Sequence, residues 1–179
     1  MYSKVKIAGH PLHPMLVGFP VALYVVTFAC FLAYALGAGP FWFRSGVYAN
    51  LAAVILAAVA ALPGFVDWAF GIPAGTPAKS TGLTHMVLNV VSLLVFLVNV
   101  LLAWSRRLEI APRVGWTVVL PIVGVLVTVV AGFLGWKLVQ THHVGVDLTP
   151  EQQRFEPRPA PRVEQPGRTP QVHGPQGAG

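Results

Sequence analysis

Histidines are the residues in this chain best suited to chemistry. His10 and His13 stand in Gly9-His10-Pro11-Leu12-His13-Pro14, His85 follows Gly82-Leu83-Thr84, and His142 and His143 are adjacent. An imidazole can carry a proton near neutral pH, or offer a ring nitrogen to a transition metal or a haem iron. A carboxylate beside it favours the charged or metal-bound ring. His13, Asp67, His85 and His143 are therefore the candidate ligands of a metal ion. His13, His85 and His143 are the candidate ligands of a haem b, with His10 and Asn89 beside them as orienting groups. The spacings match no H-E-x-x-H, H-x-x-E-H or C-x-x-C-H pattern. Cys30 is the one cysteine, and a lone thiol in an apolar run reads as packing. No G-x-S-x-G occurs, and neither Ser80 nor Ser92 has an activating motif around it. A stand-alone hydrolytic enzyme is not expected.

The elements that must position these groups are apolar. Hydrophobic residues make up 55% of the chain and charged residues 10%, where a soluble domain carries about 25% charged residues. Four runs, 15–36, 47–70, 83–104 and 114–138, each exceed the ~20 residues that cross a ~30 Å hydrocarbon core as helix. Lipid leaves no partner for open backbone groups, and alternating segments are too few for a barrel. Trp42, Trp68, Trp104, Trp116 and Trp136 fall near the ends of these runs, as interfacial anchors do. The first run is longer than the ~7–15 residue core of a signal peptide. The fold expected is all-α: an antiparallel four-helix bundle integral to the membrane, formed by residues 1–146. Residues 147–179 are rich in proline, glutamine and glycine and are expected to be a disordered tail. No internal repeat of convincing period is visible.

Four spans put both termini and the middle loop at one membrane face. His10, His13, Asp67, His85, His142 and His143 all fall there. The opposite face has Arg44, Arg106, Arg107, Glu109 and Arg113 but no histidine. Pro11 and Pro14 bias His10 and His13 toward extended backbone. Pro20 should kink the first helix, and Pro63-Gly64 should loosen the second, one turn before Asp67. In the third helix His85, Asn89, Ser92 and Asn99 share one face, which should turn inward. In the fourth, Gly124, Thr128, Gly132 and Gly135 form a small-residue surface for close packing.

The stretches GHPLHPMLVGFPVAL, PGFVDW, GLTHMVLN and GFLGWKLVQTHHVGV resemble, in that order, the uncharacterised bacterial membrane-protein family catalogued as domain of unknown function 2231. The resemblance runs from about Gly9 to Val146. His10, His13, Asp67, His85, Asn89 and His143 match the family pattern. Gly18, Gln140 and Gly135-Trp136 depart from it: the family often has histidine, tyrosine and paired glycines there. The resemblance implies an integral membrane protein, in some members joined to redox domains such as Rieske-type ferredoxins.

The sequence thus favours a redox-linked module holding a haem or a metal ion in a bacterial cytoplasmic (inner) membrane, with the lipid bilayer and a redox protein as partners. Two alternatives remain: a structural or interaction subunit without cofactor, and a path for protons or small solutes using Asp67 and His85. The net charge of +6 lies in loops and tail and suits acidic headgroups; no aromatic-basic pattern points to nucleic acid. Lys4 and Lys6 before the first span, against Arg44 after it, tip the termini toward the cytoplasm. A reporter fused after Val146 should therefore be active only as a cytoplasmic fusion; activity only outside would reverse the topology.

Overall fold

The computed structural model describes residues 3–146 and 149–155. Strands β1 (Lys6–Ile7) and β2 (His10–Pro11) pair antiparallel. Four long helices follow: α1 (Leu12–Ala35), α2 (Pro40–Val66), α3 (Pro77–Trp104) and α4 (Trp116–Gln140). A π-helical turn, Asp67–Gly71, extends α2. All four helices are long and apolar enough to cross a membrane. Their outer faces carry exposed Leu101, Leu126 and Val129, a surface that only lipid would cover without penalty.

The described residues 149–155 belong to a unit separate from the four-helix part. In it Pro150–Phe155 is a short helix, α5. Thr149 and Gln152 exchange side-chain to backbone hydrogen bonds of 2.9 and 3.2 Å, a capping box within the segment read as disordered. The rest of that expected tail, 156–179, lies outside the described residues.

The proline expectations hold only in part. Pro14 lies in the first turn of α1, where no backbone N–H is required. His13 is helical as well, not extended. A bond from its ring to the neighbouring helix offsets the crowding that Pro14 imposes. The α-helix of α2 runs through Pro63 and Gly64 and widens only at Asp67. Lys79 holds that widened turn. Its ammonium donates to the carbonyls of Trp68, Ala69 and Ile72 and lies 4.3 Å from the centre of the Trp68 ring. The Trp68 indole N–H returns a bond of 3.1 Å to the Lys79 carbonyl.

The bundle is a pair of helical hairpins. Helix α1 packs chiefly on α2, and α3 on α4, while the hairpins meet over less surface. Two aromatic rings join them: Tyr24 and Phe96 stack at 3.7 Å, nearly parallel. Each ring leans on a small residue of its own hairpin partner. Tyr24 shares a buried cluster with Ala53, and Phe96 covers Gly124, where a Cβ would come within 2.5 Å of the ring. Tyr24 and Phe96 are 72 residues apart, and Ala53 and Gly124 are 71 apart. Corresponding contact positions thus recur in the two hairpins at an offset of 71 or 72 residues. The recurrence is carried by a few contact positions in otherwise interchangeable apolar helices.

The closeness at Gly124 is testable. Gly124→Ala should destabilise the protein by about 1–3 kcal/mol, the usual cost of overpacking. Gly132→Ala should be neutral, because a Cβ there meets nothing within 4 Å. Thermal unfolding in detergent measures both. Equal effects would show that the Phe96 contact does not set the helix spacing.

Candidate functional site

His13 and His85 occupy equivalent positions in the two hairpins. The His13 Nδ1 lies 2.8 Å from the carbonyl of Ala60 on α2, and the His85 Nδ1 lies 2.8 Å from that of Ala131 on α4. A carbonyl only accepts, so each Nδ1 must carry the proton. In the neutral ring Nε2 then has the lone pair.

Glycine makes the approach possible. A Cβ at Gly64 would be 2.7 Å from His13 Nδ1, and one at Gly135 would be 3.0 Å from His85 Cε1. Each histidine thus sits in an Ala-x-x-x-Gly notch. The alanine supplies the carbonyl, and the glycine one turn on leaves room for the ring. The notches, Ala60/Gly64 and Ala131/Gly135, are 71 residues apart, and the histidines are 72 apart. Sliding the chain along itself at that offset could have found them.

The two rings face the same space. Their centroids are 6.3 Å apart and their planes nearly perpendicular. They border a cavity of about 500 Å³ whose wall is mostly apolar and includes Val17, Val21, Met86 and Leu93. Asn89 also lines it; its amide donates to the His85 carbonyl at 2.8 Å and lies 3.3 Å from His85 Nε2. Below, Ser92 and Thr128 join α3 to α4 by a 2.6 Å hydroxyl pair, and both reach the Gly124 carbonyl. Ser92 and Asn99 are buried, His85 is half-buried, and Asn89 is exposed at the cavity.

The remaining expected ligands have other partners or positions. Asp67 borders the cavity, but its carboxylate is engaged. It accepts from the Ser3 hydroxyl at 2.7 Å and from the backbone N–H groups of Lys4 and Val5 at 2.6 and 3.1 Å. Its chemistry is that of an anchor for the N-terminal segment, and Lys79 is occupied with carbonyls instead. His10 is exposed, and its Nδ1 lies 2.9 Å from the Ala8 carbonyl in its own turn. His143 takes a positive φ of 50° just past α4. Its neighbours Val144 and Gly145 line the cavity, whereas His143 is not part of that wall. Among the described residues no three of His, Cys, Asp and Glu stand close enough to share a metal ion. The set His13, Asp67, His85 and His143 is therefore not drawn together as one chelate. The carboxylate is engaged by the N-terminal segment, and His143 follows the end of α4 outside the cavity wall.

Asp67→Ala should free the N-terminal segment. Hydrogen bonds to a charged group contribute ~1.5–3 kcal/mol each, so trypsin cleavage after Lys4 should speed up by at least about tenfold. Unchanged cleavage would mean that Asp67 does not hold the segment.

A family model described as "Predicted membrane protein (DUF2231)" matches residues 9–148, and the chain belongs to that family. No curated protein and no solved structure matches it.

Proposed function

We propose that this member of the DUF2231 family is a membrane haem-binding module, in which His13 and His85 would hold the iron. The observation that carries the reading is the His13–His85 pair: both rings protonated at Nδ1 by geometry, with centroids 6.3 Å apart. A ring separation of that size would leave room for one metal atom held by both imidazoles. The hydrogen bond at Nδ1 is the support that fixes tautomer and ring angle in metal-ligating histidines and raises their basicity.

The donor set favours haem over a bare ion. A haem would bring its own nitrogen donors and need little from the protein beyond the two imidazoles. A bare ion asks for more than a pair of imidazoles, and among the described residues no third ligand joins the pair. The cavity volume also falls in the ~300–1,000 Å³ range of cofactor pockets. A haem held there would supply one-electron transfer. The chain's own contribution is to keep the two rings oriented, to line the space with apolar groups that exclude water, and to cover its end with the N-terminal segment that Asp67 holds. A redox protein at the membrane face would be the electron partner, and the bacterial cytoplasmic membrane, with termini inside, the proposed location.

Protein purified in detergent from haem-replete cells should show a Soret band and a low-spin spectrum that sharpens on reduction. His13→Ala and His85→Ala should each abolish the low-spin form, while His10→Ala and His143→Ala leave it intact. Colourless protein with stoichiometric copper, iron or zinc would replace haem by an ion. Colourless, metal-free protein would overturn the redox reading and leave a structural subunit.

A further inference from the structure

The centre of the bundle contains polar groups that the histidine cavity does not explain. Asn50 on α2 and Asn99 on α3 are fully buried. Both amide atoms of each, and the hydroxyl of Tyr24, are shielded from solvent and have no hydrogen-bond partner among the described residues. They lie at one level. Asn50 is one turn from Ala53 and one from Val47; Asn99 is next to Val100 and one turn from Phe96. Ala53 and Phe96 belong to one buried cluster with Tyr24, and Val47 and Val100 to the cluster beneath.

Asparagines in spans commonly join helices by bonding across the interface. That reading requires the amides to engage each other or a carbonyl, and here neither does. Four dry amide atoms in a bundle surrounded by lipid would forfeit every hydrogen bond they can make. Something small that both donates and accepts must satisfy them. Water has that chemistry and needs two to four polar partners. A metal cation is a poor occupant, since the amides offer two oxygens and no carboxylate is near them in sequence.

We propose that Asn50 and Asn99 hold buried water at the centre of the bundle, and that this water is the middle of a proton path between the far membrane face and the histidine cavity. Toward the cavity the next polar groups are Tyr24, which lines it, and the Ser92–Thr128 pair, of which Thr128 lines it too. Toward the far face are buried Thr27 and Thr117, and then Tyr34, whose hydroxyl donates to the Pro112 carbonyl at 2.9 Å. A proton entering at one end displaces one at the other. Each water passes a proton on and turns back, so no group is oxidised or consumed. The path ends at the cavity wall, at Tyr24 and Thr128. The path does not depend on what the cavity binds.

The test uses the purified protein in liposomes with an entrapped pH-sensitive dye and a potassium–valinomycin potential. Wild-type vesicles should acidify faster than empty ones. Asn50→Leu and Asn99→Leu should each slow this by about tenfold or more, the rate effect of a barrier raised by one lost hydrogen-bonding step. Asn50→Ser and Asn99→Ser, which keep a water-binding group, should retain most of the flux and control for folding. A solvent peak between Asn50 and Asn99 in a high-resolution structure is the second readout. Wild-type flux equal to that of empty vesicles, leucine variants as fast as wild type, or a dry Asn50–Asn99 level would each overturn the proposal.

Discussion

A helix carbonyl has two lone pairs, and the helix uses one of them. The whole site rests on the second. His13 and His85 each bring a ring nitrogen to such a carbonyl on the adjacent helix. In lipid no water competes for the bond, and no water replaces it if the helices separate. The bond can form only where the next turn of the receiving helix is bare, which is why Gly64 and Gly135 stand four residues after Ala60 and Ala131. One constraint therefore sets three things together: the spacing of α1 on α2 and of α3 on α4, the tautomer of both rings, and their orientation.

Two equivalent hairpins then meet face to face. Their contact is uneven along the bundle. At Tyr24 and Phe96 the rings stack at 3.7 Å; at His13 and His85 the separation is 6.3 Å. Aromatic stacking joins the hairpins at mid-depth, and the cavity lies on the terminal side of it, bordered by the two imidazoles. Both hairpins run in the same order across the bundle, so the repeat is parallel, not inverted. That arrangement explains why equivalent side chains meet as like pairs, imidazole with imidazole and aromatic ring with aromatic ring.

The four spans and the polar face of α3 were legible because length, apolarity and helical period act locally. The joint placement of His13 and His85 at one face followed from counting spans. The notches were not legible one at a time, because Ala-x-x-x-Gly is common in membrane helices; only their recurrence at nearly the histidine offset marks them. The anchoring bonds of Asp67 were not legible for a related reason. Its partners are two backbone N–H groups and a serine hydroxyl some sixty residues away, and backbone groups leave no trace in a sequence. His143 looked equivalent to His85 in type and side, yet the turn after α4 decides its position, and that turn is set by backbone bonds such as Val144 N–H to the Leu138 carbonyl at 3.0 Å.

A bundle of four helices has little interior, and most of each span faces outward. Every polar side chain admitted to that interior displaces an apolar one that would pack without desolvation cost. Ser92 and Thr128 answer that cost with bonds to each other and to Gly124; the histidines answer it with helix carbonyls. Asn50 and Asn99 answer it with no partner among the described residues. The polar groups of the interior thus divide into those that hold helices together and those left without a partner among the described residues. To the second kind belong these two amides, the Tyr24 hydroxyl and Nε2 of His142. The Tyr24–Phe96 stack separates the asparagine level from the histidine cavity, with the Tyr24 ring on the cavity wall.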